Sequence, residues 1–85
     1  MRYVVEFAPS AAREFRKLEP AVQRRLRPVI DGLAKSPRPA GAIKLSGEDS
    51  AYRLRVGDYR LVYEVVDRVL RVLIVRVAHR REAYR

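Results

Sequence analysis

The chain has 85 residues, 48% hydrophobic and 34% charged, with a net charge of +9. That length supports one small domain, residues 1–85, and the composition is that of a globular rather than a disordered chain. With no cysteine and a single histidine, disulfides, thiolate metal sites and histidine-cluster metal sites are excluded, no cofactor is implied, and a reducing cytoplasm is the expected compartment.

Sixteen of the nineteen basic residues are arginine. Arginine stays charged and presents a planar fork that binds phosphate bidentately, so this balance points to a phosphate-rich partner. The N-terminal stretch is interrupted by Glu6 too early for a signal peptide. The most apolar run, residues 69–75, is broken by Arg71 and falls short of the ~20 residues a membrane helix requires, so no membrane association is expected.

In chain order, Tyr3, Val4, Val5 and Phe7 predict a first strand over residues 2–7. Pro9 and Ser10 mark a helix start, proline being tolerated in a first turn where its missing N–H is no loss. Ala11, Phe15 and Leu18 form one apolar stripe over residues 10–18, with Arg13, Arg16 and Lys17 mostly off it. Glu19-Pro20 opens a second helix, in which Val22, Leu26, Val29, Ile30 and Leu33 recur at helical spacing. Pro28 lies inside it and predicts a bend. Residues 36–41 form a loop, Ile43-Lys44-Leu45 begins a strand, and residues 46–50 are a polar turn.

The stretch YRLRVGDYRLVY, residues 52–63, reads as a β-hairpin. Gly57 supplies the positive φ that a type II′ turn needs at its first central position. Val56 then lies opposite Tyr59, Arg55 opposite Arg60, Leu54 opposite Leu61, and Arg53 opposite Val62. One face carries Tyr52, Leu54, Val56, Tyr59, Leu61 and Tyr63, and the other collects three arginines. Like charges directly opposite in a sheet are unfavourable by roughly 0.2–1 kcal/mol, which marks the arginine face as a polyanion site rather than a structural device. A last strand over residues 69–78 follows Asp67-Arg68. A two-residue connection there would pair Glu64 with Arg71 and place Arg76 on the apolar face, so a bulge or exposed end is expected near Arg76. The result is an α+β domain of order β-α-α-β-β-β, a mainly antiparallel sheet with the N-terminal helical hairpin packed on one face.

KLSG at residues 44–47, YRLRVGDYRLVYEV at 52–65 and the ending VAHRREAYR at 77–85 resemble the RelE/ParE superfamily of bacterial type II toxins, within it the RelE-like branch. The helical hairpin ending in a Ser-Pro-Arg loop matches as well, so the resemblance covers nearly the whole chain. It implies the toxin of a toxin–antitoxin pair, a ribosome-dependent endoribonuclease that cleaves mRNA in the A site. The ParE branch, which inhibits DNA gyrase on a similar scaffold, supplies the alternative, because fold does not settle function. A plain nucleic-acid-binding module is a third reading.

The family's basic sheet face and its C-terminal arginine and tyrosine are matched by Arg53, Arg55, Arg60, Arg80 and Tyr84. Arg53 and Arg55 stand where some members have lysine, and arginine does not deprotonate, so neither serves as a base. Cleavage requires the ribose 2′-OH to lose a proton, attack the adjacent phosphorus and expel the 5′-oxygen, and the scarcity of metal ligands favours a metal-independent route. Arg53, Arg55 and Arg60 are candidates for binding the scissile phosphate and neutralising its charge, and Arg80 is a catalytic candidate through the family's C-terminal pattern. Tyr84 is a candidate for orienting the 2′-OH, stacking on a base or exchanging a proton, and His79 for acid/base exchange because its ordinary pKa is near neutrality. By residue type alone His79 is more often a surface or strand-end histidine than a catalyst, and Glu64 reads as a cross-strand partner of Arg71. Arg53, Lys44, Arg13, Arg16 and Arg81 are candidate RNA contacts, the helix arginines being alternatively a solvated face. Expected partners are the ribosome, mRNA and a cognate antitoxin with an acidic or amphipathic segment, with operator DNA bound only by the toxin–antitoxin complex.

Overall fold

Strand β1 (Val4–Phe7) runs into helix α1 (Pro9–Arg16), and α2 (Pro20–Gly32) follows. The computed structural model describes residues 2–47 and 50–83. Pro9 and Pro20 each open a helix, as their fixed φ favours. The α1–α2 corner is held by Gln23, whose side-chain amide donates to the Leu18 carbonyl at 2.8 Å, one of the acceptors left over where a helix ends. Helix α2 continues through Pro28. Proline sits there on the exposed side, so the carbonyl it cannot reach is not stranded in the core.

After β2 (Ile43–Lys44) come β3 (Ala51–Val56), β4 (Tyr59–Val66), β5 (Arg71–His79) and a short helix α3 (Arg80–Ala83) that the sequence did not announce. The sheet order is β1-β5-β4-β3-β2. Strand β1 runs parallel to β5, and all other pairs are antiparallel.

The β3–β4 register is the expected one, Val56 opposite Tyr59 and Arg55 opposite Arg60. Gly57 has φ +60°, and Asp58 is not in the left-handed region, which fits a type II′ turn. The β4–β5 connection corrects the expectation. It spans four residues, a 3₁₀ turn Asp67–Val69 followed by Leu70 at φ 52°, so Val66 pairs with Arg71 and Glu64 with Leu73. Arg71 instead meets Glu6 on β1, Nε to Oε1 at 2.8 Å. The register differs from the expected one by two residues, an even number, so the same faces stay inside.

The expected bulge is present. Val62 pairs with Arg76 but Tyr63 with Ile74, leaving Val75 as the extra residue. Because side chains alternate with period 2, one inserted residue inverts the rest of the strand. Arg76 is thereby exposed, 3.6 Å from Glu14 Oε2, while Glu14 Oε1 accepts the Val77 N–H at 2.8 Å.

Both helices cover one face of the sheet. Ala11, Leu26, Ile30 and Leu33 pack with Leu54, Leu61, Tyr63, Val65, Val72, Ile74 and Val77 in a single core. Each fully buried Leu or Ile contributes roughly 1.5–3 kcal/mol.

Candidate nucleic-acid interface

The pleat that sends Leu54 and Leu61 into the core sends Arg53, Arg55 and Arg60 to the opposite face. There they line a recess of about 210 Å³ together with Gly41 and Ile43. Their exposure is graded: Arg55 is exposed, Arg53 half-buried, and Arg60 only 9% exposed. Among the described residues Arg60 is the buried charged side chain. Desolvating a guanidinium carries a large penalty, which a core built only for stability avoids.

Three arginines converge on the hairpin turn. Arg55 Nε donates to the Gly57 carbonyl at 3.3 Å. The Arg80 N–H donates to the Asp58 carbonyl at 2.7 Å, and Arg80 Nε lies 3.9 Å from Asp58 Oδ1. Arg25, from α2, lies so close that a Cβ built on Gly57 would fall 2.6 Å from its Nη2. Glycine is required at position 57 by its φ of +60°, and a side chain there would also push the Arg25 guanidinium aside. In the sequence Arg25 is one of three closely spaced arginines on α2, with Arg24 and Arg27, and nothing local sets it apart. The signal that separates it is Gly57, whose missing side chain is the space Arg25 occupies.

A second polar cluster holds the loop that precedes β2. Asp67 accepts from Arg38 through both oxygens, at 3.2 and 2.7 Å, and from the Tyr3 hydroxyl at 2.5 Å. Arg38 Nε also donates to the Tyr52 hydroxyl at 2.8 Å, and its guanidinium carbon lies 5.3 Å from the Tyr52 ring centroid. The buried Tyr63 stacks on Tyr52 with centroids 6.0 Å apart and donates its hydroxyl to the Pro37 carbonyl at 2.8 Å. Together these contacts pin the loop that ends at Gly41. Hydrogen bonds from Arg38 and then Tyr3 hold the Asp67 carboxyl below its usual range. The hydrogen bond to Asp67 raises Tyr3, and burial pushes the Tyr63 phenol up to about 12.

The remaining candidates lie elsewhere. Lys44 pairs with Tyr52, not with Arg53, and so takes the other face of the sheet edge. Arg13 and Arg16 are exposed on α1, and Arg81 is exposed on α3. His79 pairs with Tyr59 and therefore sits on the helix side, where it borders a recess of about 350 Å³ with Glu14, Lys17, Leu18 and Val77. Its ring meets the Tyr59 ring edge-on, 5.2 Å between centroids. The expected Tyr84 lies outside the described residues. What the structure brings together is Arg53, Arg55 and Arg60, with Arg80 and Arg25 at the turn. Such an array can hold a phosphate and offset charge that grows on its oxygens, but it contains no base.

No helix among the described residues is long and apolar enough to cross a membrane. A family profile described as ParE toxin of type II toxin-antitoxin system, parDE, matches residues 5–84. The chain is 37% identical over 82 residues to the mRNA interferase toxin RelE of Escherichia coli (strain K12), covering 94% of this chain and 85% of that protein. Toxin RelG of Mycobacterium tuberculosis is 36% identical over 89 residues, covering 100% of this chain and 99% of the relative. Among solved structures, a chain of the archaeal RelE-RelB complex from Pyrococcus horikoshii OT3 superposes with a TM-score of 0.83 at 30% identity, over 94% of this chain and 97% of that one. With its fold, its arginine face and these likenesses in agreement, the chain belongs to the RelE/ParE superfamily of type II toxins, on its RelE-like side.

Proposed function

We propose that this protein is a ribosome-dependent mRNA endoribonuclease, the cytoplasmic toxin of a type II toxin–antitoxin pair, and that it cleaves message in the A site without a metal. The observation that carries the reading is the recess in which Arg53, Arg55 and Arg60 converge on the face the helices leave open. The name of the E. coli relative, an mRNA interferase, supports the reaction class. RelE–RelB complexes among the relatives support a cognate antitoxin. An acidic or amphipathic antitoxin segment across the arginine face would block the recess directly.

In the proposed reaction the ribose 2′-oxygen loses its proton and bonds to the adjacent phosphorus, and the bond to the 5′-oxygen breaks as that oxygen takes up a proton. Arg55 and Arg60 bind the scissile phosphate and offset charge on its non-bridging oxygens, with Arg53 on the neighbouring backbone. Arg80 approaches from the turn, and Tyr84 orients the 2′-OH. Arginine cannot accept the proton, so the ribosome and the bound message supply much of the reactive geometry, which is why activity is confined to the ribosome.

An in-vitro translation reaction with end-mapped message tests this. The expected result is cleavage within A-site codons that Arg80→Ala and Tyr84→Phe each weaken. Intact message in the presence of folded protein contradicts it. Stabilised cleaved DNA–gyrase complexes would establish instead the ParE-like alternative, the branch whose name the matching profile carries.

A further inference from the structure

We propose that His79 is a positioning residue for this reaction: its Nδ1 fixes the start of the Arg80-bearing segment, and it exchanges no proton with the message. The inference rests on the nuclease reading for one of its two readouts.

The bulge at Val75 decides the side. Without it His79 would share the face of Arg60, whereas with it His79 pairs with Tyr59 on the helix side of the sheet. The imidazole therefore turns away from the recess that would hold the phosphate. Among the described residues its neighbours are Tyr59 from β4, Val77 from its own strand, and Glu14, Lys17 and Leu18 from α1.

What His79 does contact is the C-terminal segment. It immediately precedes α3, and its Nδ1 accepts the Arg81 N–H at 3.3 Å. That is the bond an N-cap side chain makes to the second residue of a helix. A ring nitrogen that accepts it carries no proton, so the hydrogen of the neutral ring resides on Nε2. The edge-on Tyr59 ring, 87° to the imidazole plane, fixes its orientation. Between these contacts lies Arg80, bonded through its own N–H to the Asp58 carbonyl at 2.7 Å. Strand end, hairpin turn and α3 are thereby joined at one point, and Arg80 is held against Asp58 of the hairpin that carries Arg55 and Arg60.

The discriminating pair is His79→Asn and His79→Ala. Asparagine can accept an N-cap hydrogen bond but cannot exchange protons near neutrality, and alanine can do neither. On programmed ribosomes His79→Asn is expected to keep the rate within roughly threefold of the parent, while His79→Ala loses about tenfold, the order set by loss of a cap. Hydrogen exchange at the Arg81 amide should be equally slow in the parent and His79→Asn and faster in His79→Ala. Equal rate losses in the two variants, or parental cleavage by His79→Ala, overturn the proposal. Should the parent cleave no message, the nuclease reading fails by itself. The Arg81 amide then still decides the contact: faster exchange in His79→Ala alone supports it, and equal exchange in all three proteins overturns it.

Discussion

Strands β3 and β4 carry charge at both ends, and the two ends handle it in opposite ways. At the end near the β4–β5 connection, Arg38 is matched by both oxygens of Asp67, by the Tyr52 hydroxyl and by the Tyr52 ring. At the other end Arg55 stands directly opposite Arg60, and the acid at the turn, Asp58, lies 3.9 Å from Arg80. The first arrangement satisfies a charge locally and anchors a loop. The second gathers three arginines about one recess, so the first should report on stability and the second on binding and catalysis.

The largest expected effect is on the catalytic end. Arg60→Ala should lower single-turnover cleavage on programmed ribosomes about 10²–10³-fold, the scale of losing one preorganised charge-stabilising donor, with the rate normalised to the folded fraction by circular dichroism. Next comes Gly57→Ala. A side chain at φ +60° strains the turn and displaces Arg25, so denaturant unfolding should show a loss of roughly 1–3 kcal/mol. At the anchoring end, Arg38→Ala should cost only about 0.2–1 kcal/mol because the pair is partly exposed, and cleavage per folded molecule should stay near parental.

The smallest effect is a pH dependence at the same anchor. The Asp67 carboxyl is held below its usual value by Arg38 and Tyr3, so its stabilisation is present above the unfolded-state pKa, ~3.9. It is lost as pH falls through the lower folded-state value. Melting temperatures recorded from neutral to acid pH should therefore drop more steeply for the parent than for Asp67→Asn, and parallel curves would remove Asp67 from the anchor.

The contrast between the two ends also explains which features were legible in the sequence. The β3–β4 register and the arginine face follow from a two-residue turn and an alternating pattern, both encoded within residues 52–63. The β4–β5 register was not readable, because the connection is held by Tyr3 and Arg38, 64 and 29 residues away from Asp67. The parallel pairing of β1 with β5 is non-local in the same sense: nothing in residues 4–7 names the partner strand. Arg76 signalled the bulge by its misfit on an apolar face. Its consequence for His79, three residues later, appears only when the inverted alternation is followed to the strand end. Arg25 reaches the turn through packing of α2, which no local spacing reveals.

Arg55→Ala, assayed for cleavage and thermal stability in the same preparation, separates a binding role of the facing arginines from a structural one. Removing one of two facing arginines relieves a repulsion of roughly 0.2–1 kcal/mol, so the expected result is a melting temperature at or above the parental value together with about a hundredfold loss of message cleavage. Parental cleavage by the folded variant, or a loss of cleavage that tracks a loss of folded protein, would contradict it.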